Sequence, residues 1–395
     1  MRTSCVLSRM MTPMAMLVAK LVIMQLMPLQ VASGVENPDT TSGANGFDAF
    51  FVFGDSLLDP GNRDLLQPTA IGLPFPLIDA HHLPYGRDFV THEPTGRFCN
   101  GRIVSDFLAS FMGFPFTPPY LKDKSNILQG CSFANSGSKI MNKISRYQFP
   151  RLNFIDQVRL FGDVQQQLQS RLGADGAAYL ISRSLFLTAL GSNDVMADYI
   201  LNPVQRAKLT RQAFYQTLIA TYAQMLQELY RLGARKFAVV TVPAVGCIPA
   251  LRALLVDGGA GQRLGAPLPI CADGANEIVN GFNAALGQMV NQLQADYPDS
   301  RFLLLDTFKI TVDAVTYPMK YGFLYGFQPC CGYTENRVIP VCNNRSTAVC
   351  EMAAEHVFWD FAHPTEAFNL VLARTFWEGS SPNVYPMNLQ ELARI

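Results

Sequence analysis

The stretch FVFGDSLLDPGN, residues 51–62, decides how the rest of the chain is read. It begins as a buried strand, with three apolar residues leading into Gly54, and ends in a turn signalled by Asp59-Pro60-Gly61-Asn62. Asp55 and Ser56 stand at the hinge between the two. Taken alone, a serine after Gly-Asp is a favoured helix N-cap. It acts as a nucleophile only if a base from elsewhere in the chain reaches its hydroxyl, so the rest of the sequence has to supply that base.

The chain has 395 residues, 49% of them hydrophobic and 16% charged, with 31 Lys+Arg balanced by 31 Asp+Glu. That length and apolar content suffice for a sizeable core, and with no net positive charge a nucleic acid is not an expected partner. Arg2 and Arg9 precede an apolar run at 14–30 that ends in Val31-Ala32-Ser33. This reads as a signal peptide over residues 1–33, cleaved near Ser33 and followed by a polar leader over 34–46. Lys20 breaks the run, which is too short and interrupted to span a bilayer comfortably, and no later stretch offers a replacement. Stable membrane insertion is therefore not expected. Cys5 leaves with the signal, and Cys99, Cys131, Cys247, Cys271, Cys330, Cys331, Cys342 and Cys350 stay. An even number in an exported chain suggests disulfides, with the pairing open. The alternative, a zinc site among Cys330–Cys350 with His356 nearby, lacks a C-x-x-C pair. Asn344-Arg345-Ser346 is an N-glycosylation sequon, which makes Asn344 the candidate attachment point.

Apolar runs at 49–53 (AFFVF), 184–190 (SLFLTAL), 236–242 (KFAVVTV) and 301–306 (RFLLLD) read as buried strands. Amphipathic segments at 204–233 and 275–297 read as helices, the first ended by Gly233 as a C-cap. This alternation predicts a mostly parallel sheet covered on both faces, in one domain over residues 47–395. Ligands of such sheets bind beyond the carboxyl ends of the strands. The loops Gly54-Asp55-Ser56 and Gly191-Ser192-Asn193-Asp194 should open on that same edge.

Of the five histidines, His81, His82 and His92 sit in a Pro/Gly-punctuated loop and read as surface residues. His363 stands three residues after Asp360 and directly before Pro364 in WDFAHPTEAF. Proline at the first position of a helix over 364–378 would leave His363 on the entering loop. There Asp360 either orients the imidazole or merely caps the turn. Acyl transfer also needs donors for the oxyanion: the Asn193 side chain and the backbone at Gly137, in GCSFANSGSK, are the candidates. The G-x-S-x-G nucleophile elbow is absent, which disfavours the α/β-hydrolase fold. Tyr85, Phe89, Tyr321, Phe323, Tyr325 and Phe327 either line an acyl or sugar groove or pack the core.

In order along the chain, Phe53-Gly54-Asp55-Ser56-Leu57, Gly137, Gly191-Ser192-Asn193-Asp194 and Asp360-Phe361-Ala362-His363-Pro364 resemble the GDSL esterase/lipase family of the SGNH hydrolase superfamily. The segments LPYGRDF, PTGRFCNGRIVSDFLA, VTVPAVGCIPA, CADGANEIVNGFN and QPCCG resemble its plant branch, and the likeness runs from about residue 47 to the C-terminus. The resemblance implies an α/β fold, a flavodoxin-like three-layer α/β/α sandwich with a central, mostly parallel sheet. It implies Ser56, Asp360 and His363 as catalytic residues. The oxyanion hole would come from the Ser56 and Gly137 amides and the Asn193 side chain, with no metal or other cofactor. The implied function is a secreted serine esterase/lipase acting on an acyl lipid, a small ester or an acetylated carbohydrate, in the extracellular space, the cell wall or the vacuole. A transacylase with the same triad and a catalytically silent binding protein on the same scaffold are the alternatives. The chain departs from the family at Gly137: where relatives read like NFASGGAG it has SFANSGSK, so Asn135 and Lys139 alter the expected shape and charge beside the oxyanion hole.

Overall fold

The computed structural model describes residues 46–66, 79–141, 151–257, 269–334, 337–338, 342 and 348–395. The expected signal peptide, nearly all of the polar leader and Asn344 lie outside these residues. The four apolar runs form parallel strands β1 (Phe50–Gly54), β2 (Leu185–Ala189), β3 (Lys236–Val240) and β4 (Arg301–Leu305) in that spatial order. A short strand pair β5 (Tyr333–Thr334) and β6 (Arg337–Val338) stands apart. Strand β7 (Val384–Tyr385) closes the sheet antiparallel to β4. Strands β1 to β3 are buried at every position, as expected of strands covered on both faces.

Residues 129–135 run parallel to β1 along its free edge. The Phe50 and Val52 amides donate to Gln129 and Cys131 at 3.0 and 3.1 Å, and the Phe133 and Asn135 amides donate to Val52 and Gly54 at 2.7 and 3.0 Å. Gly130, at φ +98°, is required there, because a Cβ would fall 2.0 Å from the Phe50 carbonyl oxygen. The chain thus goes from β1 outward to this edge segment and then back across to β2. That reversal of direction at β1 is the topological switch point where ligands of such sheets bind.

Six longer helices cover the sheet: α1 (Val104–Phe111), α2 (Phe154–Arg183), α3 (Arg211–Arg231), α4 (Asp273–Asp296), α5 (Thr307–Thr316) and α6 (Glu366–Glu378). Helices α2, α3 and α4 pack side by side in sequence order, while α1 packs on α6. Two sequence boundaries shift. The segment at 204–233 is not one helix but a short helix Pro203–Lys208 and then α3, because the Thr210 hydroxyl accepts the Ala213 amide at 3.3 Å and starts a new helix. Helix α6 starts at Glu366 with Thr365 as N-cap, leaving Pro364 outside it. Gly233 follows the end of α3 at φ +108° as predicted.

The zinc alternative is overturned. Cys330 pairs with Cys350, Cys331 with Cys342, and Cys247 with Cys271, while Cys99 and Cys131 are buried thiols. No metal-binding cluster occurs among the described residues, and no helix among them is long and apolar enough to cross a membrane.

The packing under β1 is aromatic. Phe161 of α2 meets Phe51 and Phe186 edge-on, each at 5.1 Å between ring centroids, and Phe53 stacks on Phe133 of the edge segment at 5.1 Å. Each such ring contributes about 1.5–3 kcal/mol through burial. Phe161→Ala should lower the unfolding free energy by about 3–5 kcal/mol in denaturant titrations. An unchanged midpoint would show that the sheet does not lean on this cluster.

Candidate active site

Three segments reach the same sheet edge because β1, β2 and the edge segment end level with one another. Gly54 stands opposite Ala189 in the ladder, and the Asn135 amide bonds to Gly54. Ser56, Gly137 and Asn193 therefore emerge together. Ser56 lies in a turn and begins no helix, so the N-cap reading falls.

The fourth segment brings the base. His363 Nε2 lies 2.8 Å from Ser56 Oγ, although the two residues are 307 positions apart. Its Nδ1 lies 2.9 Å from each carboxylate oxygen of Asp360. The carboxylate accepts the Nδ1 proton, which leaves Nε2 as an acceptor for the serine hydroxyl. The two readings of Asp360 coincide, since Oδ1 also accepts the Ala362 and His363 amides at 2.8 Å each and closes the turn that carries the histidine. Phe98 packs against the imidazole at 4.8 Å between centroids. Burial raises the Asp360 carboxyl, but the charge and ring N–H of His363 and the two amides outweigh it and hold the group below the ordinary carboxylate range.

On the oxyanion side, neither the Ser56 nor the Gly137 amide donates to another described group. Gly137 has φ +78°, and nothing lies within 4 Å of where a Cβ would project. The Asn193 amide gives its hydrogens to the Ser138 carbonyl at 3.0 Å and, at the longer distance of 3.3 Å, to Asp55 Oδ2. Burial pushes the Asp55 carboxyl up to about 6, against the Leu57 amide and the His363 charge, which favour its ionised form. These groups line a cavity of about 400 Å³ with mostly apolar walls, including Leu57, Met196, Val245 and Ile248.

A profile of the GDSL-like lipase/acylhydrolase family matches residues 50–376. The chain belongs to this family. It is accordingly a carboxylic ester hydrolase. Its relatives include the GDSL esterase/lipase At4g16230 of Arabidopsis thaliana, 35% identical over 356 residues, which are 88% of this chain and 91% of the relative. The GDSL esterase/lipase At1g71691 of the same plant is 33% identical over 360 residues, covering 90% of this chain and 88% of the relative. Among solved structures, a catalytic mutant of Axe2, an acetylxylan esterase from Geobacillus stearothermophilus, aligns at a TM-score of 0.35 and 15% identity over 84% of this chain and 93% of that one.

In this GDSL-family chain several residues support the site without having been singled out for it in the sequence. Asp59 accepts the Gly61, Asn62 and Arg63 amides at 2.8, 2.6 and 3.2 Å, and then the Ser136 amide at 2.7 Å, so the turn after the serine holds the residue before Gly137. The DPGN turn signal marked Asp59 as a turn former; nothing local marked the bond to Ser136. Tyr85 lines no part of the cavity. It is buried and donates its hydroxyl to Asp360 Oδ2 at 2.7 Å, across 275 positions. Burial, and then the Asp360 charge, raise its phenol well above the ordinary value, so it stays a donor. The other five aromatic candidates are also absent from the cavity wall. Phe323 packs on Phe368, Tyr325 stacks on His356, and Tyr321 bonds to Asp313. Lys139 does not place its charge in the cavity, being buried in an ion pair with Asp198. Asn135 accepts the Leu152 amide at 3.0 Å through its side chain. His81 and His92 are exposed and His82 half-exposed, as expected for that loop.

Tyr85→Phe removes one donor from a buried carboxylate and should lower stability by about 1.5–3 kcal/mol and reduce kcat. Wild-type kcat in the variant would exclude a positioning role. A carboxyl depressed in the fold stabilises above its ordinary value of about 4, and the contribution is lost as pH falls through the depressed value. The margin by which wild type exceeds Asp360→Asn in thermal unfolding should therefore be full above about pH 4 and shrink with further acidification. A margin independent of pH would contradict the ionic role.

Proposed function

We propose that the chain is a secreted serine esterase in which Ser56 forms an acyl-enzyme, with a signal peptide over 1–33, a polar leader over 34–46 and one hydrolase domain over 47–395. The observation that carries this reading is the continuous path from Asp360 through both nitrogens of His363 to Ser56 Oγ, at 2.9 and 2.8 Å. A serine hydroxyl attacks an ester only as its proton leaves, and His363 Nε2 lies where that proton must go.

As the bond from Ser56 Oγ to the ester carbon forms, the hydroxyl proton passes to Nε2, and the carbonyl oxygen takes up negative charge. The Ser56 and Gly137 amides face that oxygen. Asn193 gives it the hydrogen of its longer contact with Asp55. The carbon–oxygen bond to the alcohol then breaks, and the alcohol leaves with the proton from Nε2. Water gives a proton to Nε2 as its oxygen bonds to the acyl carbon, the bond from that carbon to Ser56 Oγ then breaks to release the acid, and Oγ takes the proton back from Nε2. Asp360 stays ionised throughout and offsets the charge on the imidazolium. None of these steps draws on a metal or an organic cofactor.

The apolar cavity walls and the esterase/lipase relatives support an ester substrate whose acyl part fits those walls; an acyl lipid, a small ester or an acetylated carbohydrate is the proposed class. Asn344, as a glycosylation site, belongs to the same secretory reading.

The test is hydrolysis of p-nitrophenyl esters from acetate to long-chain acyl by the mature protein beside Ser56→Ala and His363→Ala. Both variants should lose at least about a thousandfold in kcat while keeping the wild-type far-UV spectrum. Retained turnover in either would overturn the assignment. Products trapped with added methanol separate hydrolysis from acyl transfer, and equal inertness of all three proteins would put a binding role first.

A further inference from the structure

Two arginines line the cavity beside the Ser136–Gly137 turn. Arg63 follows the nucleophile loop, and its backbone amide shares Asp59 Oδ2 with the Ser136 amide. Arg151 stands just before α2 and reaches the Gly137 carbonyl at 3.4 Å through Nη1. Both side chains are only partly exposed. The pair is close enough for their charges to interact: burial lowers the Arg63 guanidinium, with Arg151 acting in the same direction and Asp59, Asp64 and Asp79 opposing.

Of the carboxylates nearby, Asp64 and Asp79 act on Arg63, and Asp64 also lies 3.4 Å from the His81 ring. Asp59 accepts four backbone amides, and Asp55, also on the cavity wall, faces the Leu57 amide and Asn193. Among the described residues no carboxylate forms an ion pair with Arg151. Lys139, the cation expected here from the sequence, is turned away to Asp198. A guanidinium held against apolar walls, beside a second one, is costly unless an anion comes to it. Its planar donor fork matches a carboxylate or phosphate.

We propose that Arg151, with Arg63 beside it, reads a negative charge on the substrate, so that the preferred esters carry a carboxylate or phosphate a few atoms from the reacting carbonyl. The proposal rests on the ester-hydrolase reading and narrows its substrate class. Because Arg151 contacts Gly137, the anion is read next to the oxyanion position, either on the acyl group or on the alcohol.

Two pairs of esters test it, each an anion beside its neutral methyl ester. On the acyl side these are p-nitrophenyl hemiglutarate and p-nitrophenyl methyl glutarate. On the alcohol side they are 4-acetoxybenzoate and methyl 4-acetoxybenzoate. After subtraction of spontaneous hydrolysis, the wild type at low salt should favour the anion in one pair by about tenfold in kcat/KM, the scale of one charge-assisted hydrogen bond. That ratio should fall toward unity in Arg151→Gln, be largely retained in Arg151→Lys, and shrink with added salt. A ratio of one or less in both pairs, or one that Arg151→Gln leaves intact, overturns the proposal. Calorimetric titration of Ser56→Ala with the same four esters reads the preference without turnover. Preferential anion binding by that variant from a wild type that hydrolyses none of them would sink the esterase reading and leave the charge reading standing.

Discussion

An ionised carboxylate with no exposure to water must find its donors inside the protein, and Asp360 is such a group. Four donors meet it: the Tyr85 hydroxyl, the Ala362 and His363 amides, and the His363 ring. Satisfying it ties the loop around Tyr85 to the loop before α6 and sets the ring of His363 in one orientation and one tautomer. The surrounding contacts serve the same constraint. The Trp359 amide bonds to the His363 carbonyl at 2.7 Å, Arg87 lies over the Trp359 ring at 5.1 Å, and the same arginine donates to the Cys350 carbonyl at 2.7 Å. The disulfide-linked segment and the Tyr85 loop thus clasp the histidine loop from outside the main sheet.

The opposite side of the site is braced by different chemistry. There the groups needing support are backbone amides and carbonyls at strand ends, and short polar side chains meet them. Asn62 donates to the Ser132 and Ala134 carbonyls at 2.8 and 2.9 Å and accepts the Leu121 amide at 3.0 Å. Gln157 of α2 accepts the Gly54 amide at 2.9 Å and donates to the Gly54 carbonyl at 2.8 Å. Asp194 accepts the Ile140 and Met141 amides at 2.9 and 3.2 Å, joining the Asn193 loop to the chain beyond Gly137. Each bond ties the end of β1, or a loop that leaves the sheet edge, to a neighbouring segment. In the mechanism proposed above, these braces would orient the Ser56 and Gly137 amides before substrate arrives, so that less reorganisation is needed as charge develops on the carbonyl oxygen.

These braces also explain why Asn135 and Lys139, expected from the sequence to alter the site beside Gly137, leave its cavity open. Lys139 and Asn135 point into the protein, where an ion pair and a backbone amide take them up, so these residues support the loop rather than shape its face. The positive side chains that do line the cavity are Arg63, after the nucleophile loop, and Arg151, just before α2. Residue type near a motif therefore said less than direction, which depends on what lies behind the backbone.

The sequence by itself determined the four parallel strands and the mostly parallel sheet, and its family resemblance singled out Ser56, His363, Asp360, Gly137 and Asn193 as candidates. Buried strands announce themselves as apolar runs between turn signals, and a reactive serine needs a particular partner chemistry that few residues can supply. It also placed His363 on a loop, since the proline after it disfavours helix. It left open whether Asp360 caps or orients, how the eight cysteines pair, and whether Tyr85 belongs to a groove or to the interior. Only the tertiary structure decided these, along with the break at Thr210 and the bond from Asp59 to Ser136. Each depends on which groups meet across tens to hundreds of residues: a hydrogen bond between Tyr85 and Asp360 leaves no local pattern, because neither residue's neighbours in sequence are its neighbours in space.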